Sequence, residues 1–264
     1  MSKEIIFYGK PLRFSAGNHR YYWGGEYVPS VTTILKRLAK DALIQWAANC
    51  AVDHIGKHFN PEAWFKAAFD PAEEGHASAY FNEVLNEARK AHTVIRDTAG
   101  DVGTTVHRYA RALLSSDERF REVDGAITPQ ALKALQAFEQ WRDQHTIIPN
   151  ALERRIFSAE MLYAGTMDFF GRIDGDLCAL DFKTSNGVYD EAWYQLAGYE
   201  RALIEELPAT PPLTHWIVHL NKTTGECRAY RRGPDESAAA RRVWTALVFL
   251  DKAIRDMPKM EKAA

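Results

Sequence analysis

Residues 165–185 have the sequence GTMDFFGRIDGDLCALDFKTS, in which Asp174-Gly175 separates two runs that are typical of β-strands. An Asp-Gly pair between such runs is a strong signal for a two-residue hairpin turn. A turn at this position sets Asp168 opposite Asp181. Side chains directly opposed across antiparallel strands have Cβ atoms about 4.5–5.5 Å apart. Two carboxylates at that distance repel each other, so the hairpin predicts a cation shared between Asp168 and Asp181.

Alternation along the two strands predicts one polar and one apolar face. Asp168, Asp181 and Lys183 share the polar face, because Asp181 and Lys183 are two residues apart on one strand. A register slip of one residue would place the two acids on opposite faces. The alternative interpretation is an ordinary hairpin with solvated acids, because Asp-x-Lys alone is a very common pattern. The face that we expect to be buried carries Met167, Phe169, Ile173, Cys178, Leu180 and Phe182.

The remaining sequence predicts an α/β (α+β) chain in two parts. Residues 1–120 form an N-terminal lobe that begins with short strands over residues 4–28, including a β-hairpin at Gly24-Gly25. The rest of the lobe is mostly helical, and its longest helix is interrupted near residues 99–101. Residues 121–264 form a core with a central mixed β-sheet flanked by helices. Its predicted elements are a helix opened by Thr128-Pro129, strands at 147–157, 161–173 and 177–183, a helix capped by Asp190, strands at 215–221 and 226–232, and a helix at 235–254.

The composition bounds the class of protein and of cofactor. The chain has 264 residues, 26% of them charged, and a formal net charge of -2, so a nucleic-acid site must be a local surface. Cys50, Cys178 and Cys227 have no CxxC or CxxH spacing, which argues against a zinc or iron–sulfur site. The first residues, MSKEIIFYGKPLRF, lack the apolar run of a signal peptide, and no segment has the length of a membrane span. We therefore expect a cytoplasmic protein that has no membrane partner.

Paired carboxylates suit hard divalent cations such as Mg²⁺ or Mn²⁺. Such a cation, held by Asp168 and Asp181, can bind a phosphate oxygen and lower the pKa of a bound water. Lys183 on the same face can orient that water and neutralise developing negative charge. The backbone carbonyl of Phe182 is a further candidate ligand. Phosphodiester hydrolysis needs these elements.

Three motifs together resemble the PD-(D/E)XK nuclease superfamily: Gly165-x-x-Asp168, Asp181-x-Lys183 and Gln195-x-x-x-Tyr199. The chain is most similar to the branch that contains the RecB nuclease domain, the CRISPR-associated adaptation nucleases and the mitochondrial genome maintenance exonuclease. Phage-encoded members also resemble it at YVPSVTTIL, residues 27–35. The CRISPR-associated members carry four cysteines for an iron–sulfur cluster. The three cysteines here favour a phage-type exonuclease without that cluster.

The resemblance implies a restriction-endonuclease-like core and further site residues. His107 in GTTVH would be a metal ligand; the alternative is a helical histidine packed on the lobe. Glu153 would hold a second metal or a water, and a surface strand residue is the alternative. Gln195 would orient the scissile phosphate or Lys183. Candidate substrate-binding residues are Tyr199, Ser30, Thr32, Thr33, Arg172 and Thr184. The alternatives are core packing for Tyr199, a helix N-cap for Ser30 and a solvated surface side chain for Arg172.

These features predict a deoxyribonuclease that uses one or two Mg²⁺ or Mn²⁺ ions and acts on single-stranded DNA or free ends. The resemblance implies recombination, repair or phage DNA processing, with phage or host recombination proteins as partners and a bacterial host's cytoplasm as location. A structure-specific flap or single-strand endonuclease with the same site is an alternative. Two others are a non-catalytic nucleic-acid-binding subunit that keeps the fold, and an unrelated α/β protein whose hairpin mimics the motif.

Overall fold

The computed structural model describes residues 5–38, 41–69, 76–115 and 127–258. In these ranges the chain forms nine strands and seven helices. The order is β1 (Ile5–Phe7), β2 (Lys10–Ser15), β3 (Arg20–Trp23), β4 (Glu26–Val28), α1 (Val31–Leu35), α2 (Asp41–His58), α3 (Pro61–Phe69), α4 (His76–Leu114), α5 (Pro129–Asp143), β5 (Ile147–Ser158), β6 (Tyr163–Ile173), β7 (Asp176–Lys183), α6 (Asp190–Glu206), β8 (Thr214–Leu220), β9 (Cys227–Arg232) and α7 (Ala238–Asp256).

A five-stranded mixed sheet, ordered β5-β6-β7-β8-β9, forms the centre of the fold. Only β7 and β8 pair in parallel within it, and α6 provides the crossover between them. Buried residues of α4 and α5 pack with one set of sheet residues, and those of α6 and α7 pack with another. The predicted α/β class and mixed sheet flanked by helices are therefore confirmed.

The predicted hairpin register is confirmed from the turn as far as Phe169. Asp174 and Gly175 both have positive φ, 51° and 90°, as a tight hairpin turn of this kind requires. Pairing runs from Ile173 opposite Asp176 to Phe169 opposite Leu180.

Beyond Phe169 the strands β6 and β7 separate into a fork. β6 stays paired with β5 as far as Tyr163, while β7 stays paired with β8 as far as Lys183. No described pair joins β6 to β7 past Phe169 and Leu180. Asp168 and Asp181 are the first residues beyond that last pair, so they lie at the point where the two strands diverge.

Both faces of the sheet are buried, and this corrects the prediction of a single apolar face. Phe169 and Ile173 pack with the cluster of α4 and α5, as predicted for one face. Met167 instead packs with α6 and α7, although it lies two residues from Phe169. The alternation of β6 therefore changes at Asp168. The side chains of β5 change face at the same position along the strands. Leu152 packs with α5 and Ile156 packs with α6, and Glu153 between them has a φ of 47°.

The N-terminal strands β1–β4 form a four-stranded antiparallel sheet that packs on the central one. Gly24 and Gly25, with φ of 57° and 93°, form the predicted hairpin turn between β3 and β4. Leu12 and Tyr21 of this sheet pack with Phe157 of β5. The short strands that the sequence predicts over residues 4–28 are therefore present as β1–β4.

The long helix α4 is continuous from His76 to Leu114, so the predicted interruption near residues 99–101 is wrong. A glycine inside a helix costs only about 1 kcal/mol relative to alanine, which the rest of a long helix can offset. The predicted N-cap of α6 is also wrong, because Tyr189 is the N-cap and Asp190 lies in the first turn. A negative charge at that position interacts favourably with the helix dipole. Thr128 caps α5 as predicted, accepting the N–H of Ala131 at 3.1 Å.

The chain divides into two compact units. One contains the described residues of 39–101, and the other those of 1–38 and 102–264. The predicted boundary between residues 120 and 121 lies outside the described residues. The four-stranded sheet and the end of α4 from residue 102 belong to the unit with the central sheet. Within the described ranges, no helix combines the length and apolar character required to cross a membrane.

Candidate active site

The fork between β6 and β7 contains both predicted acids. Asp168 Oδ2 accepts the backbone N–H of Phe182 at 2.9 Å, so a carboxylate takes a position that a strand carbonyl fills in a regular ladder. This bond holds the Asp168 side chain against β7 next to Asp181. The two acids are thus neighbours across the fork, which opposition on a hairpin predicted. Asp168 is joined to β7 by its side chain and not by backbone pairing, because the described pairing of β6 with β7 ends at Phe169 and Leu180.

Asp181, Lys183 and Gln195 form a connected polar cluster at the base of the fork. Asp181 is 2% exposed, and its Oδ1 accepts the Nε2–H of Gln195 at 2.9 Å. Lys183 Nζ lies 2.5 Å from Asp181 Oδ2 and donates to Gln195 Oε1 at 2.8 Å. The ammonium therefore forms an ion pair with this buried oxygen, in a geometry outside that of a regular hydrogen bond.

Helix α6 positions Gln195 through its neighbour one turn away. Gln195 Nε2 also donates to the Tyr199 hydroxyl at 2.8 Å. The Tyr199 ring lies against Gly165 of β6, where an added Cβ would stand 2.7 Å from Tyr199 Cε1. Gly165 is therefore needed for α6 to approach the sheet closely enough for Gln195 to reach both Asp181 and Lys183. Tyr199 is buried, as the core alternative predicted, and it also supports the polar cluster.

The pKa of Asp181 is raised to about 6, mainly by burial and in smaller part by the charge of Asp168. The ammonium of Lys183 and the nearby His107 oppose this increase. The nearby positive charges therefore do not fully offset the cost of burying the ionised carboxylate. A cation brought beside it would stabilise the ionised form, because a positive charge lowers the pKa of a neighbouring acid.

His107 on α4 reaches the fork from the other side of the sheet. Its Nδ1 lies 3.6 Å from Asp168 Oδ2, and its ring meets that of Phe182 edge-on with centroids 6.0 Å apart. One turn earlier, a Cβ on Gly103 would stand 2.7 Å from Thr184 Oγ1, so the helix lies against the end of β7. Gly103 therefore allows a close approach between α4 and the residue that follows β7. Thr184 serves as its packing partner.

The residues at the fork include ligand types that a divalent cation prefers, but they do not form a preformed coordination site. Among the described residues, no three His, Cys, Asp or Glu side chains are arranged as a ready-made metal site. Lys183 and Gln195 lie on the oxygens of Asp181, and the N–H of Phe182 lies on Asp168. Asp181 Oδ2 is nevertheless a buried carboxylate oxygen beside a second acid, Asp168, and outside regular hydrogen-bond geometry. Hard cations prefer oxygen ligands of this kind. A small movement of the flexible Lys183 chain would expose it.

Some predicted residues lie apart from this cluster. Arg172 donates to the Gly175 carbonyl at 2.6 Å, at the turn end of the hairpin. The Ser30 Oγ accepts the N–H of Thr33 at 3.0 Å, so Ser30 is the N-cap of the short helix α1. Its hydroxyl also contacts those of Thr32 at 2.9 Å and Thr33 at 2.8 Å, which engages the polar groups proposed for phosphate.

Two residues near the fork were not predicted. Arg111, one turn beyond His107 on α4, forms an ion pair with Glu153. Its spacing of four from His107 was a usable signal that the side chain faces the same way. His219 stands opposite Lys183 on β8 and donates from Nε2 to the Ser185 carbonyl at 2.6 Å, which holds the loop after β7. No sequence pattern marks His219, because its contact depends on the parallel pairing of β7 with β8.

The chain was compared with known proteins at the level of family models and of whole sequences. No family model matches it, and no curated protein matches it significantly. Similarity to a known family therefore does not identify the activity. A proposal about the activity rests on the residues at the fork.

Proposed function

We propose that the protein is a divalent-metal-dependent deoxyribonuclease with a PD-(D/E)XK-type core, acting as an exonuclease on single strands or free ends. One observation carries the proposal: a β-hairpin opens into a fork at the point where Asp168, Asp181 and Lys183 meet, with Gln195 bonded to the last two. The mixed sheet with a helical crossover between β7 and β8 is compatible with such a core. Processing of recombining, damaged or phage DNA in a bacterial cytoplasm is the corresponding biological proposal.

In this proposal Asp168, Asp181, His107 and the carbonyl of Phe182 hold Mg²⁺ or Mn²⁺. The ion, when bound, supplies a Lewis acid for the phosphate and lowers the pKa of its water. Lys183 orients the attacking water and neutralises charge that develops on the phosphate oxygens. Gln195 holds the Lys183 ammonium at its Oε1 and Asp181 at its Nε2, which keeps the two reacting groups in register.

The test is digestion of end-labelled single- and double-stranded DNA in the presence of Mg²⁺, Mn²⁺ or EDTA. We expect degradation with either metal and none with EDTA. Asp181→Asn and Lys183→Met should each reduce the rate at least 100-fold, because each removes a group that acts in the transition state. Arg172→Gln, a change at the turn end of the hairpin, should retain activity.

Equal digestion by the wild type and Asp181→Asn would overturn the assignment of this site. Binding of DNA without cleavage under every metal condition would favour the non-catalytic binding subunit. A circular single-stranded substrate separates the two nuclease modes, since an exonuclease needs an end. Linearisation of that circle would replace the exonuclease by the endonuclease alternative.

A further inference from the structure

Three residues on one face of α4 follow one another at intervals of four. Gly103 contacts the loop after β7, His107 lies beside Asp168, and Arg111 continues the same line. Side chains with this spacing point in one direction from a helix. Arg111 is therefore directed along the fork, next to the proposed metal ligands.

The guanidinium of Arg111 is held by a carboxylate from the neighbouring strand. Arg111 forms an ion pair with Glu153 Oε1, and the Arg111 side chain is 16% exposed whereas that of Glu153 is 54% exposed. Burial lowers the pKa of Arg111, and the charge of Asp168 acts in the opposite direction. The cation is thus mostly withdrawn from solvent, and its partner is the more exposed of the two.

Glu153 occupies its position at the expense of regular strand geometry. Its neighbours pair as Leu152 with Phe169 and Arg154 with Met167, so Glu153 falls at the rung of Asp168. Its φ of 47° is unusual for a non-glycine residue inside a strand. The distortion lies at the same rung as the change of face in β6. Glu153 is therefore set beside the fork by the backbone of β5.

We propose that Arg111 binds a phosphate of the DNA substrate next to the metal site, and that Glu153 holds the guanidinium in place until that phosphate replaces it. The proposal rests on the proposed nuclease function. A guanidinium accepts carboxylate and phosphate oxygens in the same forked geometry, so one anion can exchange for the other. Glu153 is exposed enough to leave, whereas Arg111 is anchored by burial.

This assignment gives Glu153 a different function from that of a metal ligand. A carboxylate that coordinates metal would be needed for cleavage. A carboxylate that holds a phosphate-binding arginine competes with the substrate. Removal of its charge should therefore leave DNA binding unchanged or make it tighter, whereas removal of the Arg111 charge should weaken it. Weaker binding after loss of Arg111, without weaker binding after loss of Glu153, distinguishes the proposal from a purely structural contact.

The experiment measures binding of a fluorescein-labelled single-stranded 20-mer by anisotropy, with Ca²⁺ in place of Mg²⁺ so that cleavage does not interfere. Arg111→Gln should raise Kd about tenfold, since a charge-assisted contact to phosphate is lost. The slope of log Kd against log salt should fall in magnitude by about 0.7, as expected for one phosphate contact on a single strand. Glu153→Gln should give a Kd equal to that of the wild type or about twofold to fivefold lower.

A matched control comes from the adjacent position of the same strand. Arg154 forms an ion pair with Glu206 at 2.8 Å, with both side chains 27% exposed. Arg154→Gln and Glu206→Gln should each change Kd less than twofold. Thermal unfolding of all four variants shows whether a loss of binding follows a loss of folding. Arg111→Lys, which keeps the charge but loses the fork, should recover part of the affinity.

Four outcomes would overturn the proposal. Equal weakening of DNA binding by Arg111→Gln and Glu153→Gln would make the pair structural. Loss of metal-dependent cleavage in Glu153→Gln with DNA binding intact would make Glu153 a metal ligand. Unchanged Kd and salt slope in Arg111→Gln, with a wild type that cleaves DNA, would leave the nuclease standing without this contact. A wild type that neither binds nor cleaves DNA would refute the nuclease and the Arg111 contact together.

Discussion

At the scale of single residues, Asp181 combines burial, which disfavours its ionised carboxylate, with a role in the proposed site that needs the carboxylate ionised. It is almost fully buried, and burial raises the pKa of its carboxyl to about 6. Lys183 offsets part of the cost of keeping it ionised, but the second acid, Asp168, adds to it. A residue placed this way destabilises the protein at neutral pH while offering a strong cation ligand.

Asp181→Asn should therefore increase stability while abolishing cleavage. The folded-state pKa lies above the usual value, so the wild type loses stability as pH rises from about 4 towards 6, as the buried acid ionises. The amide has no such ionisation. In EDTA at pH 8 we expect the free energy of unfolding to rise by about 1–3 kcal/mol, measured by urea denaturation.

The same comparison at pH 5 should show a smaller difference, because part of the wild type is then protonated at Asp181. Asp176→Asn serves as the control, since Asp176 pairs with Arg231 at 2.6 Å on an exposed surface. Such exposed pairs contribute less than about 1 kcal/mol. A loss of stability in Asp181→Asn at pH 8 would contradict the burial argument.

At the scale of secondary-structure elements, the site depends on how closely α6 approaches β6. Gly165 permits that approach because Tyr199 occupies the space of a side chain there. The hydroxyl of Tyr199 accepts a hydrogen bond from Gln195, which in turn contacts Asp181 and Lys183. A change at Gly165 is therefore transmitted to Lys183 through the helix.

Gly165→Ala should lower both stability and activity. The added methyl would stand 2.7 Å from Tyr199 Cε1 and 3.2 Å from Ile156 Cδ1, so a buried ring must move. Overpacking of this kind costs about 1–3 kcal/mol, which urea denaturation measures. Displacement of Gln195 should also reduce kcat more than it raises KM.

Gly100→Ala is the control, because a Cβ at Gly100 of α4 meets nothing within 4 Å. Alanine in that helix should stabilise the chain by up to about 1 kcal/mol and leave kcat unchanged. If Gly165→Ala instead folds as stably as the wild type with full kcat, the close packing of α6 on β6 does not position the site.

The elements also show what sequence could and could not predict. The hairpin turn and its register follow from local chemistry, because Asp174 and Gly175 suit positive φ. The fork does not, since it depends on β5 and β8 each retaining one strand of the hairpin. Met167 was assigned to the wrong face for this reason. The ion pair of Arg111 with Glu153 likewise joins distant segments and leaves no local pattern.

At the scale of the whole molecule, the unit that holds the site has a sheet covered by helices on both faces. The fork lies within that unit, so a ligand bound there is linked to the unfolding of the whole unit. A cation that binds only the folded state stabilises it in proportion to the logarithm of its concentration over Kd.

Mn²⁺ should therefore raise the Tm of this unit, and more at pH 8 than at pH 5.5, because protons compete for Asp181 as pH falls towards its raised pKa. Tryptophan fluorescence is a suitable readout, since five of the seven tryptophans lie in the segments of this unit. EDTA should reverse the shift. Asp181→Asn should show little shift at either pH; a shift in this variant equal to that of the wild type would place the cation elsewhere.

The change of face at the rung of Glu153 and Asp168 divides the hairpin into two segments with different neighbours. Met167 and Ile156 pack with residues of α6 and α7, whereas Phe169 and Leu152 pack with residues of α4 and α5. Compensating changes accumulated over evolution should therefore form two groups of co-varying positions within one continuous pair of strands. Each half of the hairpin can be remodelled with its own helices while the acids between them keep their place.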